Sequence, residues 1–276
     1  MKKNIFAFGL LLSFLTAASA MEVQTNIEYG KASDETLLLD VYEPNTAGVF
    51  PAVIVVHGGG WTRGDKQGDE KVFAKPLVDA NFVCYSINYR LAPKNQWPAC
   101  YDDVQTAIKW VKANAAKYKT DPNRVAIMGY SAGGQLAALA ALTADPDMEV
   151  QAVVLVAAPT DLVYDSLRRG NVSTYLMALF GSKGLDEKTL QQLWDISPIN
   201  YIRTGLPPFL LIHGTADTTV PYQLSLNFKT RLDTVNVPCD VITINGGTHH
   251  IEGWNAFNKN YVKEIIEWLS KNLSRK

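Results

Sequence analysis

Arg124-Val125-Ala126-Ile127-Met128-Gly129-Tyr130-Ser131-Ala132-Gly133-Gly134-Gln135-Leu136-Ala137 is the stretch whose reading decides the fold. A short β-type run leads into Gly129-Tyr130-Ser131-Ala132-Gly133, and a run of good helix propensity leads out. A strand that turns sharply into a helix around a serine exposes the hydroxyl to both a base and a substrate carbonyl, which is the logic of a nucleophile elbow. Gly129 and Gly133 supply the close approach that so tight a turn needs. Small residues around a serine also occur in ordinary turns, so the decision rests on what else the chain carries.

Upstream, the apolar run Ala52-Val53-Ile54-Val55-Val56 opens directly onto His57-Gly58-Gly59-Gly60-Trp61. Three consecutive glycines let a loop aim backbone N–H groups at a developing negative charge, so Gly59, Gly60 and Ala132 are the expected oxyanion donors. A serine needs a base, and the chain has four histidines. His57 is committed to the glycine loop and His213 ends the strand-like Pro208–Ile212 run, so both are read as structural. The pair His249-His250 follows the run Cys239–Ile244, and His249 is the expected base, with His250 as its alternative. Asp217, in His213-Gly214-Thr215-Ala216-Asp217, lies past a strand end, where the ligand-facing loops of a parallel sheet gather. It is preferred to Asp240, which sits at a strand start. The acid would orient the imidazole and stabilise the imidazolium without taking the proton. The order Ser131, Asp217, His249 is that of the α/β-hydrolases.

These motifs, together with Asn88-Tyr89-Arg90-Leu91-Ala92-Pro93, Trp97-Pro98-Ala99, Asp102-Asp103-Val104, Ser197-Pro198, Pro207-Pro208-Phe209-Leu210 and Val220-Pro221, resemble the α/β-hydrolase esterases of the hormone-sensitive-lipase and feruloyl/acetylxylan-esterase-like branches. The resemblance runs from about residue 36 to the C-terminus with every catalytic element in order. Lipase-like relatives often carry Phe and Asp where this chain has Trp61 and Tyr130, which points toward the feruloyl-esterase-like side; the family's Gly after the catalytic His is here His250. The resemblance implies an α/β-hydrolase fold and acyl transfer through a serine ester, and the residues themselves give no reason to expect a cofactor or metal. No His/Cys/Asp cluster has metal-ligand spacing, and no phosphate-binding glycine loop occurs.

Eight strands are expected, at Val23–Tyr29, Thr36–Tyr42, Ala52–His57, Phe82–Asn88, Arg124–Gly129, Ala152–Ala157, Pro208–His213 and Cys239–Ile244, the first two as an antiparallel edge. Helices intervene between most of the later ones, giving a mostly parallel sheet covered on both faces. Within Tyr101–Tyr118, Val104, Ala107, Ile108, Val111 and Ala115 form a stripe that would lie on the sheet, and Trp254–Leu273 shows another with Val262, Ile265, Ile266 and Leu269. From about residue 161 to 206 the rhythm breaks, and a small helical cap insertion is expected there. Its aromatics Tyr164, Tyr175, Phe180 and Trp194 either line a pocket or pack the cap onto the sheet; Trp61 and Tyr130, each adjoining a catalytic element, are the expected substrate-binding residues.

The chain has 276 residues, 47% of them hydrophobic, and a net charge of −1, which suits one large domain with a substantial core. Residues 1–20, with Lys2-Lys3, an apolar core from Ile5 to Leu15 and Ala18-Ser19-Ala20, read as a secretory signal cleaved after Ala20, leaving residues 21–276 as the mature, secreted or periplasmic enzyme. The apolar run is short for a membrane span, so no stable anchor is expected. Removal of Lys2 and Lys3 leaves 24 basic against 27 acidic residues, a balance that gives no reason to expect nucleic acid as a partner. Cys84, Cys100 and Cys239 are too few for a disulfide framework.

Export and the resemblance together imply esters decorating plant polysaccharides, with acetyl or feruloyl acyl groups. The alternatives are a lipase-like carboxylesterase or an arylformamidase, because fold alone does not choose among chemistries. A non-catalytic binding module of the same fold would commonly lack the serine or the base, and this chain has both.

Overall fold

Apolar runs alternating with turn-rich segments pair into a single eight-stranded sheet in the computed structural model, which describes residues 21–274 apart from Ser33 and Asp69. The expected export signal, residues 1–20, lies outside the described residues. The strands are β1 (Glu22–Ala32), β2 (Glu35–Glu43), β3 (Phe50–Val56), β4 (Val83–Ile87), β5 (Thr120–Tyr130), β6 (Ala152–Val156), β7 (Phe209–Gly214) and β8 (Cys239–Ile244), in the spatial order β1-β2-β4-β3-β5-β6-β7-β8. β1 and β2 form the antiparallel edge expected of them, β2 joins β4 antiparallel, and every pair from β4 to β8 is parallel. Because those strands share a direction, the loops leaving β3, β5, β7 and β8 all emerge at one edge of the sheet.

Both faces of the central strands are covered, and their burial shows it: all five residues of β4 and all five of β6 are buried. Side chains alternate between two cores. Ile54 and Val56 join α2 (Ala99–Ala113), α3 (Ala132–Leu142) and α7 (Gln223–Asp233) on one face, whereas Val53 and Val55 join α1 (Glu70–Asp79) and α8 (Tyr261–Asn272) on the other. The stripe Val104, Ala107, Ile108 and Val111 is buried against the sheet as its spacing requires, with Ala115 buried in the 3₁₀ turn Ala115–Tyr118 that ends the helix.

The C-terminal helix begins later than its sequence suggests. Ile251–Ala256 is a separate 3₁₀ turn, and α8 starts at Tyr261, because Asn258 Oδ1 accepts the Asn260 N–H and bends the chain between them. α1 went unread in the sequence, where Pro76 interrupts its pattern. The stretch 161–206 holds three short helices, α4 (Leu162–Arg169), α5 (Thr174–Phe180) and α6 (Glu187–Asp195), followed by the 3₁₀ turn Pro198–Tyr201. Each starts on a side-chain cap: Asp161, Ser173 and Asp186 accept the N–H groups of Tyr164, Leu176 and Thr189. α4 and α5 stop at Gly170 and Gly181, both left-handed. The three cysteines are buried; burial pushes the Cys100 and Cys239 thiols up to about 12, so those two pack as small apolar groups.

One charged pair lies inside. Lys66, 4% exposed, reaches from the loop after β3 to Asp40 on β2, with Nζ 2.9 Å from Oδ2. The same loop is pinned through its backbone, since Asn88 Oδ1 accepts the Lys66 N–H and Ser86 Oγ donates to the Lys66 carbonyl. Removing one ion of a buried pair strands the other, so Lys66→Met is expected to lower unfolding free energy in urea by about 3–5 kcal/mol. Pairing it with Asp40→Leu should recover much of that loss; a single variant as stable as wild type would show the pair to be energetically idle.

Candidate active site

The turn after β5 is tight for reasons visible in its glycines. A Cβ on Gly129 would lie 2.2 Å from the Gly133 carbonyl oxygen, and one on Gly133 would lie 2.2 Å from that of Val56. Only glycine lets the start of α3 approach both its own strand and the end of β3. Between them Ser131 takes φ 52° and ψ −120°, a backbone that an L-residue holds only when its surroundings impose it, at a cost of order 1–3 kcal/mol. Its N–H donates to the Val156 carbonyl across the sheet, fixing the elbow from beneath.

Three loops bring their side chains to Ser131. His249, from the loop after β8, has Nε2 2.9 Å from Ser131 Oγ and Nδ1 2.6 Å from Asp217 Oδ2. Asp217, from the loop after β7, is itself buried, and its Oδ1 accepts the N–H groups of Thr219 and Val220. Burial alone would raise this carboxyl, but hydrogen bonds from His213 and His249, the His249 charge and the Val220 N–H outweigh it and hold Asp217 well below the usual carboxylate range. The acid stays ionised. The two loops are locked together, since a Cβ on Gly214 would lie 2.1 Å from the Gly247 carbonyl oxygen and the Ala216 N–H donates to that same oxygen.

The structure separates the two adjacent histidines. His250 is exposed, while the His249 side chain is largely buried between Asp217 and Ser131. His213 is fully buried with Nδ1 on Ser225 Oγ and Nε2 on the Val220 carbonyl, 3.3 Å from Asp217 Oδ2, so it backs the acid. Asp240 accepts a hydrogen bond from Trp268 Nε1, away from this cluster.

Gly59 and Gly60 sit in a turn with φ +120° and +61°, closed by Thr62 and Arg63 N–H groups donating to the Gly59 carbonyl. That turns the carbonyl away. Among the described residues no hydrogen bond takes up the N–H of Gly59, Gly60 or Ala132, and Ala132 opens α3, whose positive end adds to the attraction for an anion. His57 braces the loop from inside: Nδ1 bonds the Gly58 carbonyl, the ring stacks on Tyr89 at 4.2 Å, and burial holds its pKa below the ordinary value. Arg90 pairs with Asp103 at 2.8 Å, which gives that acid, near the start of α2, a structural use.

Two expected pocket residues are put to other work. Trp61 is 4% exposed, and its Nε1–H donates to Gln135 Oε1 at 3.0 Å; its positive φ of 59° turns the indole into the core, so its substrate-binding reading is corrected to one of anchoring the loop. Tyr130 is half-buried, packs where a Gly58 Cβ would lie, and donates its hydroxyl to the His249 carbonyl at 2.5 Å. It braces the loop that carries His249. Tyr175, one of the four cap aromatics, does reach this region: its ring covers Gly60, whose Cβ would fall 2.8 Å from it. Phe180 is buried packing, whereas Tyr164 and Trp194 are exposed. Among the described residues no helix is long and apolar enough to cross a membrane.

The chain is similar to known esterases in sequence and in fold. The chain is 34% identical over 76% of its length to the probable carboxylic ester hydrolase LipM of Mycobacterium tuberculosis, and 36% identical over 75% to esterase LipQ of the same organism. It spans about half the length of each of these curated relatives, 51% and 52%. Among solved structures, a truncated carbohydrate esterase from gut microbiota superposes with a TM-score of 0.79 at 29% identity, covering 92% of this chain and 97% of that one. Thermogutta terrifontis esterase 2, in a form phosphorylated by paraoxon, gives 0.75 at 25% identity over 93% of this chain and 96% of its own. The BD-FAE family model matches residues 39–232, and the chain therefore belongs to the BD-FAE family of α/β-hydrolase esterases.

Proposed function

We propose that this chain is a serine-dependent carboxylic-ester hydrolase that removes short acyl groups, acetyl foremost, or feruloyl groups from carbohydrate esters. The observation that carries the reading is His249 spanning Asp217 and Ser131 with its two ring nitrogens at 2.6 and 2.9 Å. With Nδ1–H held by the acid, Nε2 is left as the acceptor of the serine proton. Ser131 Oγ attacks the carbonyl carbon, and His249 takes its proton as the C–O bond forms. The N–H groups of Ala132, Gly59 and Gly60 meet the oxyanion. His249 then returns the proton to the departing alkoxide, giving the alcohol and an acyl-serine. Water, deprotonated by the same nitrogen, cleaves that ester and restores the hydroxyl. Each oxyanion donor contributes about 3 kcal/mol to transition-state stabilisation.

The carbohydrate side of the reading is supported by the gut carbohydrate esterase, and export by the pattern of residues 1–20. The LipM and LipQ likeness favours a second reading, a carboxylesterase of simple lipid-like esters. A nitrophenyl ester series separates them. Tyr175 packs over Gly60 and Tyr130 against Gly58, and on this reading the two rings narrow the acyl side of the site. Catalytic efficiency is therefore expected to fall steeply beyond about four acyl carbons, whereas an open apolar channel would add about 1 kcal/mol of binding per methylene. A rise through octanoate would favour the second reading. Failure of Ser131 to label with a fluorophosphonate would remove both.

A further inference from the structure

The loop that carries Gly59 and Gly60 also carries an arginine that has no acidic partner among the described residues. Arg63 is exposed, and its guanidinium carbon lies 5.4 Å from the centre of the Tyr175 ring. Among the described residues it makes no ion pair, and its guanidinium donates no hydrogen bond. Its neighbour Asp65 does not compensate it: Asp65 Oδ1 is turned back onto the Gln67 N–H. The backbone of Arg63, by contrast, is fixed. Its N–H donates to the Gly59 carbonyl, and its own carbonyl packs so closely that a Cβ on Gly59 would lie 2.0 Å away. The backbone of Arg63 is therefore fixed against Gly59, and its guanidinium rests by the Tyr175 ring that covers Gly60.

We propose that Arg63, laid on Tyr175 beside the oxyanion loop, is a specificity-determining residue that selects esters of acidic sugars by taking the carboxylate of a uronic acid. The proposal rests on the ester-hydrolase reading above and names its substrate class. Guanidinium presents its N–H donors in a planar fork that matches a carboxylate bidentately, and stacking on an aromatic ring limits the freedom that would otherwise be lost on binding. Tyr175 is more than a third exposed and offers a flat apolar ring beside that fork. A uronic acid has both complements, an apolar ring face of C–H groups and a carboxylate at its rim. A simple aliphatic ester has neither. If Arg63 only tethered α5 to the loop, its loss would lower turnover of acidic and neutral esters alike.

The test compares two sugars that differ only at C6, the 3-O-acetyl esters of methyl glucuronide and methyl glucoside, with nitrophenyl acetate as a third substrate. The wild-type enzyme is expected to favour the glucuronide in kcat/KM by about three- to fivefold, the worth of one exposed charged contact. Arg63→Gln should bring that ratio to near unity, and Arg63→Lys should keep part of it, because an ammonium retains the charge and loses the fork. In about 0.5 M sodium chloride the preference should shrink, since charges this exposed are screened within a few ångströms. A ratio near unity in wild type, or one unchanged in Arg63→Gln, overturns the proposal. Turnover of nitrophenyl acetate with neither sugar ester accepted also overturns it and leaves ester hydrolysis standing. Turnover of none of the three overturns the ester-hydrolase reading itself.

Discussion

Ser131→Ala is expected to cut turnover on any ester by about 10⁵- to 10⁶-fold, the scale on which a triad serine acts with its base as a unit. What survives is the background that the oxyanion loop and binding give to attack by water. Thermal and urea unfolding should change little. Ser131 Oγ is bonded to His249 rather than packed in the core, and alanine inherits the same backbone of φ 52° and ψ −120° without relieving it. The measurement is active-site-titrated kinetics beside a denaturant curve on the same preparation. More than a few per cent of wild-type turnover in a folded variant would remove Ser131 as the nucleophile.

The second large effect falls on the histidine pair. His249→Ala should cost a comparable factor in kcat, about 10⁵-fold, with KM nearly unchanged, because the imidazole does its work as the proton moves. His250→Ala should cost less than about tenfold, since an exposed side chain outside the cluster has no part in that transfer. Asp217→Asn belongs to the same series at about 10⁴-fold, by allowing the wrong tautomer of His249. The reverse ranking of the two histidines would move the base to His250 and leave the rest of the scheme in place.

The elbow and the order of its partners were legible in the sequence because they are local backbone matters. Gly129, Gly133 and the flanking runs can make only a few shapes, and a serine, an aspartate and a histidine after the parallel strands β5, β7 and β8 must come to one edge of the sheet. The choice between His249 and His250 was not local. It depends on which side chain the Gly214–Gly247 contact aims at Asp217. Trp61 misled for a related reason: an aromatic after three glycines looks like a pocket wall, and only its positive φ sends the indole inward to Gln135. Lys66 and Asp40 escaped notice because charged residues are read as surface. The available signal was Asp40 set in Leu37-Leu38-Leu39-Asp40-Val41-Tyr42, an acid in a run with no room for water. α8 was placed too early because apolar spacing alone does not register the bend made by Asn258.

Gln135 gives the site a polarity that its neighbours cannot choose. Its Oε1 receives the Trp61 indole N–H, and its Nε2 donates to the Ile196 carbonyl at 2.8 Å, both inside the protein, one helical turn beyond Ser131. An amide is nearly symmetric in shape and antisymmetric in hydrogen bonding. Rotating this one by half a turn would set donor against donor and acceptor against acceptor at both ends, losing two buried bonds together. A carboxylate in its place could satisfy the indole and would face the Ile196 oxygen with a second acceptor; a lysine would fail in the opposite sense. Only a group with one end of each kind closes the gap, so the glycine loop and the end of the cap are keyed to each other through an arrow that points one way.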